Sequence, residues 1–537
     1  MQLLRNYKKK LANNKQFVGC FVDISILGIH DGHDASACLV KNGRVVRAVE
    51  EERLRNIKHW RGVPQRSIEF CLQEENPDMI AIAGIFRRFG RFSELQKYLR
   101  NHIDCPVVYW PHHLCHAASA FYTSGFKEAL IVSLDAGGDG FSMMCYFGSQ
   151  DQGLRILKQS SIYESLGALY SEVTASLGFR AMDEEGKTMA LAAFGQPKDE
   201  LIRFYDEIIS WKSEYHSFVS SLSHNSNTLK NFLQQQIVNY SQENIAASIQ
   251  RKLEKDVVNL LADLFSEREC NNLCMTGGVF HNAQLALKIH QMFPKANKWI
   301  FPAMLDAGLS VGAALFEYFQ ESSSPVPSRI QNVYWGPLAP QPPDKLSPRL
   351  NITYLTESSL IKRIIELIYE ESAVIGLCRR ELEFGPRALG HRSLITRCDI
   401  PEMQNTLNQR KGRHNFQPFA PMVLHEAGER YLEDYFLSLF MTRAFQVTSE
   451  MQTIAPAVIH KDNTSRVQSV AIDTPDKFLR KLLESYYKET GTPFLLNTSF
   501  NLHGFPLVQN WADLWNALKK KLCDALIVGE ILIENSD

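Results

Sequence analysis

The sequence lacks an excess of charge of either sign. Its formal net charge is -1 at pH 7 and its pI is about 7.0, so no overall basic field exists to attract nucleic acid, although a local patch stays possible. No apolar run reaches the length that a membrane crossing needs. The basic N-terminus also lacks the apolar core and cleavage site of a signal peptide. Neither nucleic acid nor a membrane is therefore expected as a partner.

Cysteine follows no recognisable pattern. The 11 cysteines are odd in number and scattered, and Cys270 and Cys274 form the closest pair. A CxxxC spacing with no second pair is a poor zinc signal. We therefore expect a reduced protein located in the cytoplasm.

Length and composition indicate several domains. The chain has 537 residues with 45% hydrophobic content, which is typical of a globular protein with more than one domain. Residues 321–350 are dense in proline and serine and show no periodic apolar pattern. We predict an N-terminal tail at residues 1–20, a first domain at 21–320, a linker at 321–350, and a smaller second domain at 351–537.

The first domain contains a repeated pattern of strands and turns. The stretch "ISILGIHDGHDASACLVKNGRVVRAVEEE" indicates a strand, an Asp/Gly turn and a hairpin at Asn42-Gly43, and "ALIVSLDAGGDGFSMMCYFGSQDQGLRIL" follows the same order. This predicts a duplicated α/β core whose turns face each other across a cleft, as in the actin, Hsp70 and sugar-kinase (ASKHA) superfamily. Glycines such as Gly137 and Gly138 let the backbone approach phosphates.

A third glycine turn lies in "LCMTGGVFHNAQLALKI". It suits an adenosine- or product-binding edge, formed by Gly277, Gly278 and Asn282, but an ordinary strand-to-helix connection explains it equally well. Upstream, an apolar stripe predicts the buried face of a long helix, formed by Ile245, Ile249, Leu253, Val257, Leu260 and Leu264.

The stretch "WPHHLCHAASAFY" carries three histidines within five positions. On a helix, His112 and His116 share one face and can bind one metal ion, whereas His113 points elsewhere. Two imidazoles need further ligands, and Asp135 and Asp306 at strand ends are the best candidates. Such a set favours iron, manganese or zinc. The alternative is a helix start whose imidazoles only form hydrogen bonds.

Nine motifs occur together in an order that resembles the O-carbamoyltransferases, which act on antibiotics and Nod factors. They are "GIHDGHDASACLV…VVRAVEEERLRNIKH", "HHLCHAASAFY", "SLGALYSEVTASLGF", "EEGKTMALAAFG", "TGGVFHN", "EFGPRALGHRSLI", "FQPFAP", "HKDNTSRVQSV" and "TPFLLNTSFNLHGFP". The resemblance runs from about Ile24 to the C-terminus. It implies an ASKHA-type N-terminal domain followed by a YrdC-like α/β domain.

The resemblance also implies a two-step reaction in secondary metabolism. ATP and carbamoyl phosphate give carbamoyl-adenylate in the YrdC-like domain, with release of phosphate and pyrophosphate. The carbamoyl group then passes to a hydroxyl of a small molecule in the ASKHA-like domain. A closed path between the two sites protects the reactive adenylate from water.

The family's site residues can be carried over to matching positions. The metal ligands correspond to His112, His116, Asp135 and Asp306, with iron(II) as the expected ion. Asp31 and His33 match the catalytic pair, with His33 as the base on the acceptor hydroxyl. Lys58 matches a cation that stabilises charge on the carbonyl or phosphate, and Lys187 is a second phosphate contact. The acidic run at 50–52 is otherwise typical of a solvated strand end.

In the second domain, the condensation of two polyanions requires several cations and Mg²⁺. The motifs supply these groups at Arg387, Lys411, Arg413, Arg466 and Ser499, with Asn497 and Asn501 supporting the loop. Two positions depart from the family pattern, because Glu381 and Gln417 stand where arginines are common. Both changes remove a positive charge from the expected polyanion pocket.

Two other functions remain compatible with the sequence. One is a tRNA threonylcarbamoyl-transfer enzyme, which the neutral charge disfavours. The other is a degenerate nucleotide-binding scaffold. The sequence identifies neither the acceptor nor the native metal. It also leaves the oligomeric state open, a homodimer included.

Overall fold

The computed structural model describes residues 23–85, 91–220, 233–322, 327–343 and 350–535. The predicted tail at residues 1–20 lies outside these ranges, as do parts of the predicted linker. None of the helices within them has the length and apolarity that a bilayer crossing requires.

The first sheet has five strands in the order β3-β2-β1-β4-β5. Strands β1 to β3 are antiparallel and β1, β4 and β5 are parallel. The predicted hairpin is confirmed, since Asn42 and Gly43 both take left-handed φ values of 50° and 75°. The elements are β1 (Ser25–His30), β2 (Ser36–Lys41), β3 (Arg44–Glu50), α1 (Glu51–Arg55), α2 (Gln65–Leu72), β4 (Met79–Ala83), α3 (Arg91–His102), β5 (Val107–Trp110) and α4 (His112–Tyr122).

The second sheet repeats this topology in the order β12-β11-β6-β7-β8. Its β6 to β8 are antiparallel and its β6, β11 and β12 are parallel, which confirms the predicted duplication. The elements are β6 (Glu128–Gly138), β7 (Phe141–Ser149), β8 (Gly153–Ser161), α5 (Leu166–Ser176), α6 (Glu185–Ala192), α7 (Asp199–Ile208), β9 (Ile209–Lys212), β10 (Ser217–Ser220), α8 (Gln242–Glu267), β11 (Asn272–Thr276), α9 (Ala283–Met292), β12 (Asn297–Ile300) and α10 (Leu309–Glu321).

Helices α4 and α10 lie between the two sheets. Helix α10 packs on β1, β2 and β4, α4 packs on β6 and β11, and the two helices contact each other. Small residues allow this close approach, and a Cβ on Gly312 would lie 1.8 Å from the carbonyl oxygen of Cys115. On the far side of the second sheet, α8 buries the whole predicted apolar stripe. The duplicated half is therefore built in layers around a helix pair.

The C-terminal half centres on an eight-stranded mixed sheet in the order β14-β24-β23-β15-β17-β22-β18-β21. Apolar clusters on both faces of this sheet form its core. The elements are β14 (Leu350–Tyr354), α11 (Glu357–Tyr369), β15 (Ile375–Cys378), β16 (Glu381–Glu383), β17 (Arg392–Thr396), α12 (Met403–Lys411), β18 (Ala420–Leu424), α13 (Gly428–Tyr431), β19 (Phe445–Gln446), α14 (Ser449–Ile454), β20 (Thr464–Ser465), β21 (Gln468–Val470), α15 (Lys477–Thr490), β22 (Phe494–Ser499), α16 (Trp511–Lys519), β23 (Ala525–Val528) and β24 (Ile531–Asn535).

The predicted linker is not entirely irregular. It contains β13 (Tyr334–Leu338), which pairs with β16 of the C-terminal half. β13 forms because it makes hydrogen bonds to a strand that is distant in sequence, and a local apolar pattern does not predict such pairing.

The contact between α4 and α10 gives a stability prediction. Replacement of Gly312 by Ala forces the new methyl group against the Cys115 carbonyl, so we expect the free energy of unfolding to fall by about 1–3 kcal/mol. Gly186→Ala is the matched control, because that helical position has no neighbour within 4 Å. Urea denaturation of both variants measures the difference; equal stabilities would show that the helix pair tolerates extra volume.

Candidate active site

A cavity of about 500 Å³ lies between the two halves of the chain, and both halves line it. The N-terminal half contributes the turns after β1, β6 and β11, together with the segment after α1. The C-terminal half contributes the loops around Gly385, Arg413, Arg466 and Ser499. The three glycine turns predicted from the sequence therefore meet at one space.

Two of the four predicted metal ligands, Asp135 and Asp306, line one wall of the cavity. Ligand atoms of His112, His116, Asp135 and Asp306 all lie within 4.8 Å of one another. Nε2 of His116 lies 3.1 Å from Asp135 and 3.5 Å from Asp306, and Nε2 of His112 lies 3.7 Å and 3.8 Å from the same carboxylates. Ligands bound at about 2.1 Å to one ion lie roughly 3.0–3.4 Å apart, so small shifts suffice to close the set around a cation.

The local fold explains this convergence. His112 and His116 are one turn apart on α4 and buried, and Gly138 leaves the space that the His112 ring occupies. Oγ1 of Thr276 lies 3.3 Å from Nδ1 of His116 and orients its ring. His113 points away as predicted, with its ring nitrogens near the Ser133 hydroxyl and the Phe141 carbonyl.

An unpartnered atom supports the fit to a metal. Nε2 of His112 is buried and has no hydrogen-bond partner among the described residues, although it faces two carboxylates. A buried polar atom without a partner is costly, and a cation at the shared centre would satisfy it. A mixed set of two imidazoles and two carboxylates suits Fe²⁺, Mn²⁺ or Zn²⁺.

A second group of polar side chains lies around His33. Nδ1 of His33 lies 3.0 Å from Oδ2 of Asp34, so the carboxylate beside His33 is Asp34. The predicted partner Asp31 is buried in the same turn and is not among the residues that line the cavity. Nζ of Lys58 donates to Asp183 at 2.7 Å. His59, which the sequence analysis missed, lies between Asp34 and Asp183.

The acidic run at 50–52 is buried, which corrects the expectation of a solvated strand end. Glu51 accepts hydrogen bonds from the backbone N–H and hydroxyl of Ser67. Glu50 accepts the backbone N–H of Gly385 at 2.8 Å, and Arg53 donates to the carbonyl of the same residue. Ion pairs with Arg53 neutralise Glu50 and Glu52. This run therefore fastens the two halves beside the cavity.

The opposite wall carries three of the predicted cations. Arg387, Arg413 and Arg466 line the cavity, and within the described residues no ion pair joins them to a carboxylate. Burial and the charges of Arg466 and Arg413 lower the pKa of Arg387 well below its ordinary value. Burial also lowers the pKa of Arg466 to about 10. Desolvated guanidinium groups of this kind form a site for a polyanion.

The remaining predicted residues divide between the cavity and its support. Gly137, Gly278, Asn282 and Ser499 line it. Lys411 lies behind and donates to the backbone carbonyl of Asn501, and Asn497 donates to Gln468. Gly277 is not a lining residue; its φ of 93° turns the chain where a Cβ would meet Leu134.

Lys187 does not reach the predicted phosphate position. Its Nζ pairs with Glu184 at 2.8 Å, and Lys187 is not among the residues that line the cavity. The partner is three residues upstream, so a local ion pair captures the charge.

The two departures from the family pattern have different consequences. Glu381, at the start of β16, pairs with Arg380. It is not a lining residue, so its carboxylate does not face the cavity. Gln417 does line the cavity, where its side-chain oxygen accepts the N–H of His414. Only Gln417 replaces a positive charge at the polyanion wall.

The aromatic residues at 211–218 do not line the cavity. Trp211 and Phe218 pack edge to face in the core, and Trp211 donates to Asp263. Packing therefore explains Trp211 and Phe218.

Family profiles match most of the chain. The carbamoyltransferase N-terminal domain matches residues 25–104 and 79–315, and the carbamoyltransferase C-terminal domain matches residues 366–535. The chain belongs to the carbamoyltransferase family, and it is an enzyme that transfers a carbamoyl group.

Named relatives extend over the same range. An uncharacterized protein of Methanocaldococcus jannaschii is 34% identical over 95% of this chain and 99% of its own length. The nodulation protein NolNO of Sinorhizobium fredii is 31% identical over 94% of this chain and 79% of that protein. The nodulation protein NolO of Bradyrhizobium diazoefficiens is 32% identical over 79% of this chain and 78% of that protein.

The geometry of the metal cluster predicts proton release on metal binding. Burial lowers the pKa of His116, but its hydrogen bonds to Asp135 and Asp306 outweigh burial and raise this pKa to about 9. Metal-free His116 therefore carries a proton at pH 7, and the ion must displace it. We expect Zn²⁺ binding at pH 7 to release about one proton and to tighten as pH rises towards 9.

Isothermal titration in buffers of different ionisation enthalpy measures this proton. His116→Gln should bind metal weakly, whereas the control His102→Gln, on α3, should behave as the parent protein. Metal binding of equal strength at pH 7 and pH 9 would contradict the protonated state of His116.

Proposed function

We propose that the protein is an O-carbamoyltransferase that uses ATP and carbamoyl phosphate to carbamoylate a hydroxyl of a small-molecule natural product. One observation carries the proposal. Three guanidinium groups that pair with no carboxylate among the described residues line the cavity, and another wall carries Asp135 and Asp306 of the predicted metal cluster together with His33. The cavity thus offers a site for a polyphosphate and a centre for group transfer.

The first step takes place at the arginine wall, in a C-terminal half that we propose to be YrdC-like. Carbamoyl phosphate takes up water to give carbamate and phosphate. A carbamate oxygen then attacks the α-phosphorus of ATP, forming carbamoyl-adenylate and releasing pyrophosphate. Arg387, Arg413 and Arg466 neutralise the charge that gathers on the phosphoryl oxygens, with Ser499 as a hydroxyl donor and Mg²⁺ accompanying ATP.

The second step takes place near His33. The acceptor oxygen bonds to the carbamoyl carbon, the bond from that carbon to the adenylate oxygen breaks, and AMP leaves with the electron pair. Nε2 of His33 takes the hydroxyl proton and passes it to solvent. Lys58 balances the developing negative charge.

The four-ligand cluster would hold a divalent ion, which we propose to be iron(II). His112, His116, Asp135 and Asp306 would bind it, and it would supply Lewis-acid polarisation of the mixed anhydride. The position of Asp135 and Asp306 in the cavity lining supports a role for this cluster in the transfer step.

The two half-reactions can be separated by substitution. Arg466→Met removes a cation from the polyanion wall, so acceptor-independent pyrophosphate release should fall by about 10²–10³-fold. His33→Gln removes the base, so transfer to an acceptor should fall by about 10²–10⁴-fold, far more than pyrophosphate release. Arg430→Met is the matched control, because Arg430 is exposed and paired with Glu450.

Pyrophosphate release and mass detection of a carbamoyl addition, across a panel of hydroxylated natural products, measure the two steps. Absence of pyrophosphate release by the parent enzyme with ATP, carbamoyl phosphate and Mg²⁺ would rule out adenylate formation.

A further inference from the structure

His59 has an unusual set of neighbours for a residue beside the cavity. Its Nδ1 lies 2.6 Å from Oδ1 of Asp34, and its Nε2 lies 2.6 Å from Oδ1 of Asp183. Both partners are carboxylates, which only accept hydrogen bonds. Both ring nitrogens must therefore donate, and a histidine that donates from both nitrogens is an imidazolium cation.

The charges around His59 agree with this state. Burial lowers its pKa, but the hydrogen bonds to Asp183 and Asp34 outweigh burial and raise the pKa to about 9. Lys58 is the nearby cation that opposes this effect. The other charged groups at this position are Glu52, which accepts the backbone N–H of His59, and Arg180, which pairs with Asp183.

The cation contacts His33 in two ways. Oδ2, the other oxygen of Asp34, lies 3.0 Å from Nδ1 of His33, so one carboxylate contacts both histidines. The rings of His33 and His59 also stack, with their centroids 4.9 Å apart and an angle of 21° between their planes. The Asp34 carboxylate and the stacked His59 ring together fix the orientation of the His33 ring.

The backbone is held in an unfavourable conformation at each support. Asp34, His59 and Met182, the neighbour of Asp183, have left-handed φ values of 56°, 55° and 63°. Non-glycine residues rarely adopt this conformation, and such positions cluster where function requires a fixed geometry. Three separate turns therefore adopt a strained backbone conformation at the points where Asp34, His59 and Asp183 come together.

We infer that His59 is a positioning residue, a fixed imidazolium that, through Asp34, orients the His33 ring with Nδ1 towards Asp34 and Nε2 free to act as base. Asp183 anchors the cation from the opposite side. This inference rests on the proposed role of His33 in carbamoyl transfer. It assigns to His59, Asp34 and Asp183, which lie in different loops, the task of fixing the orientation of one base.

The resting protein offers a test that needs no substrate. Nitrogen-15 NMR of histidine-labelled protein, loaded with Zn²⁺ so that His116 is bound to metal, should show one histidine with both ring nitrogens protonated at pH 8. That signal should disappear in His59→Gln. A His59 that is neutral at pH 8, or a second Zn²⁺ per chain held by His33, Asp34 and His59, would overturn the inference.

Kinetics test the consequence for the base. His59→Gln should reduce carbamoyl transfer to the acceptor found in the hydroxyl panel at least tenfold more than it reduces pyrophosphate release. The loss should fall on kcat for transfer and leave the KM for ATP unchanged, because the arginines that line the cavity are intact. A purely structural defect lowers the rates of both half-reactions together.

His216→Gln is the matched control, since His216 is an exposed histidine with a left-handed φ of 52°. It reports the cost of replacing a histidine in this backbone conformation away from the cavity. An equal reduction of pyrophosphate release and of carbamoyl transfer in His59→Gln would refute the positioning role. A parent enzyme that carbamoylates no acceptor would instead refute the proposed function, while the NMR result would still report on His59.

Discussion

The close packing of α4 against α10 between two sheets is the constraint on which the site depends. Helix α4 carries both imidazoles of the predicted metal cluster at its start, and Asp306 begins the short turn at 306–308 that leads into α10 at Leu309. Because Gly312 lets the two backbones approach closely, the starts of both helices lie near the end of β6, which supplies Asp135. The duplicated topology thus gathers ligands from three distant parts of the chain.

The cavity concentrates positive charge on its C-terminal wall. Arg387, Arg413 and Arg466 occupy that wall, whereas carboxylates share the N-terminal wall with Lys58 and His59. Each set is buried, so its charges act at short range with little screening. Such a space can hold a polyanion at one end and present a cation and a base at the other.

The sequence was informative wherever chemistry followed a short spacing. The i, i+4 histidines, the hairpin at Asn42-Gly43 and the stripe on α8 depend on local periodicity, and the structure has all three. The arginines are separated by dozens of residues, so only the family motifs could assign them to one wall. The equal strand order of two sheets was accessible because each half repeats the same turn pattern.

Other features depend on tertiary contacts that no local pattern announces. Nothing in the spacing of Asp34, His59 and Asp183 predicts that they meet, since each belongs to a different loop. The acidic run at 50–52 resembles a solvated strand end until the C-terminal half covers it. Lys187 differs from these cases, because the residue that pairs with it, Glu184, lies in its own segment of the chain.

The hydrogen bonds at Gly385 that join the two halves have a consequence for the construction of chimeric enzymes. The N–H of Gly385 donates to Glu50 and its carbonyl oxygen accepts from Arg53, so one residue of the C-terminal half bonds both members of a buried ion pair of the other half. A chimera that exchanges C-terminal halves between relatives must contain an equivalent loop. Otherwise the buried carboxylate of Glu50 loses a hydrogen-bond donor at the junction. The Gly385 loop and the Glu50–Arg53 pair must therefore remain compatible in any such exchange.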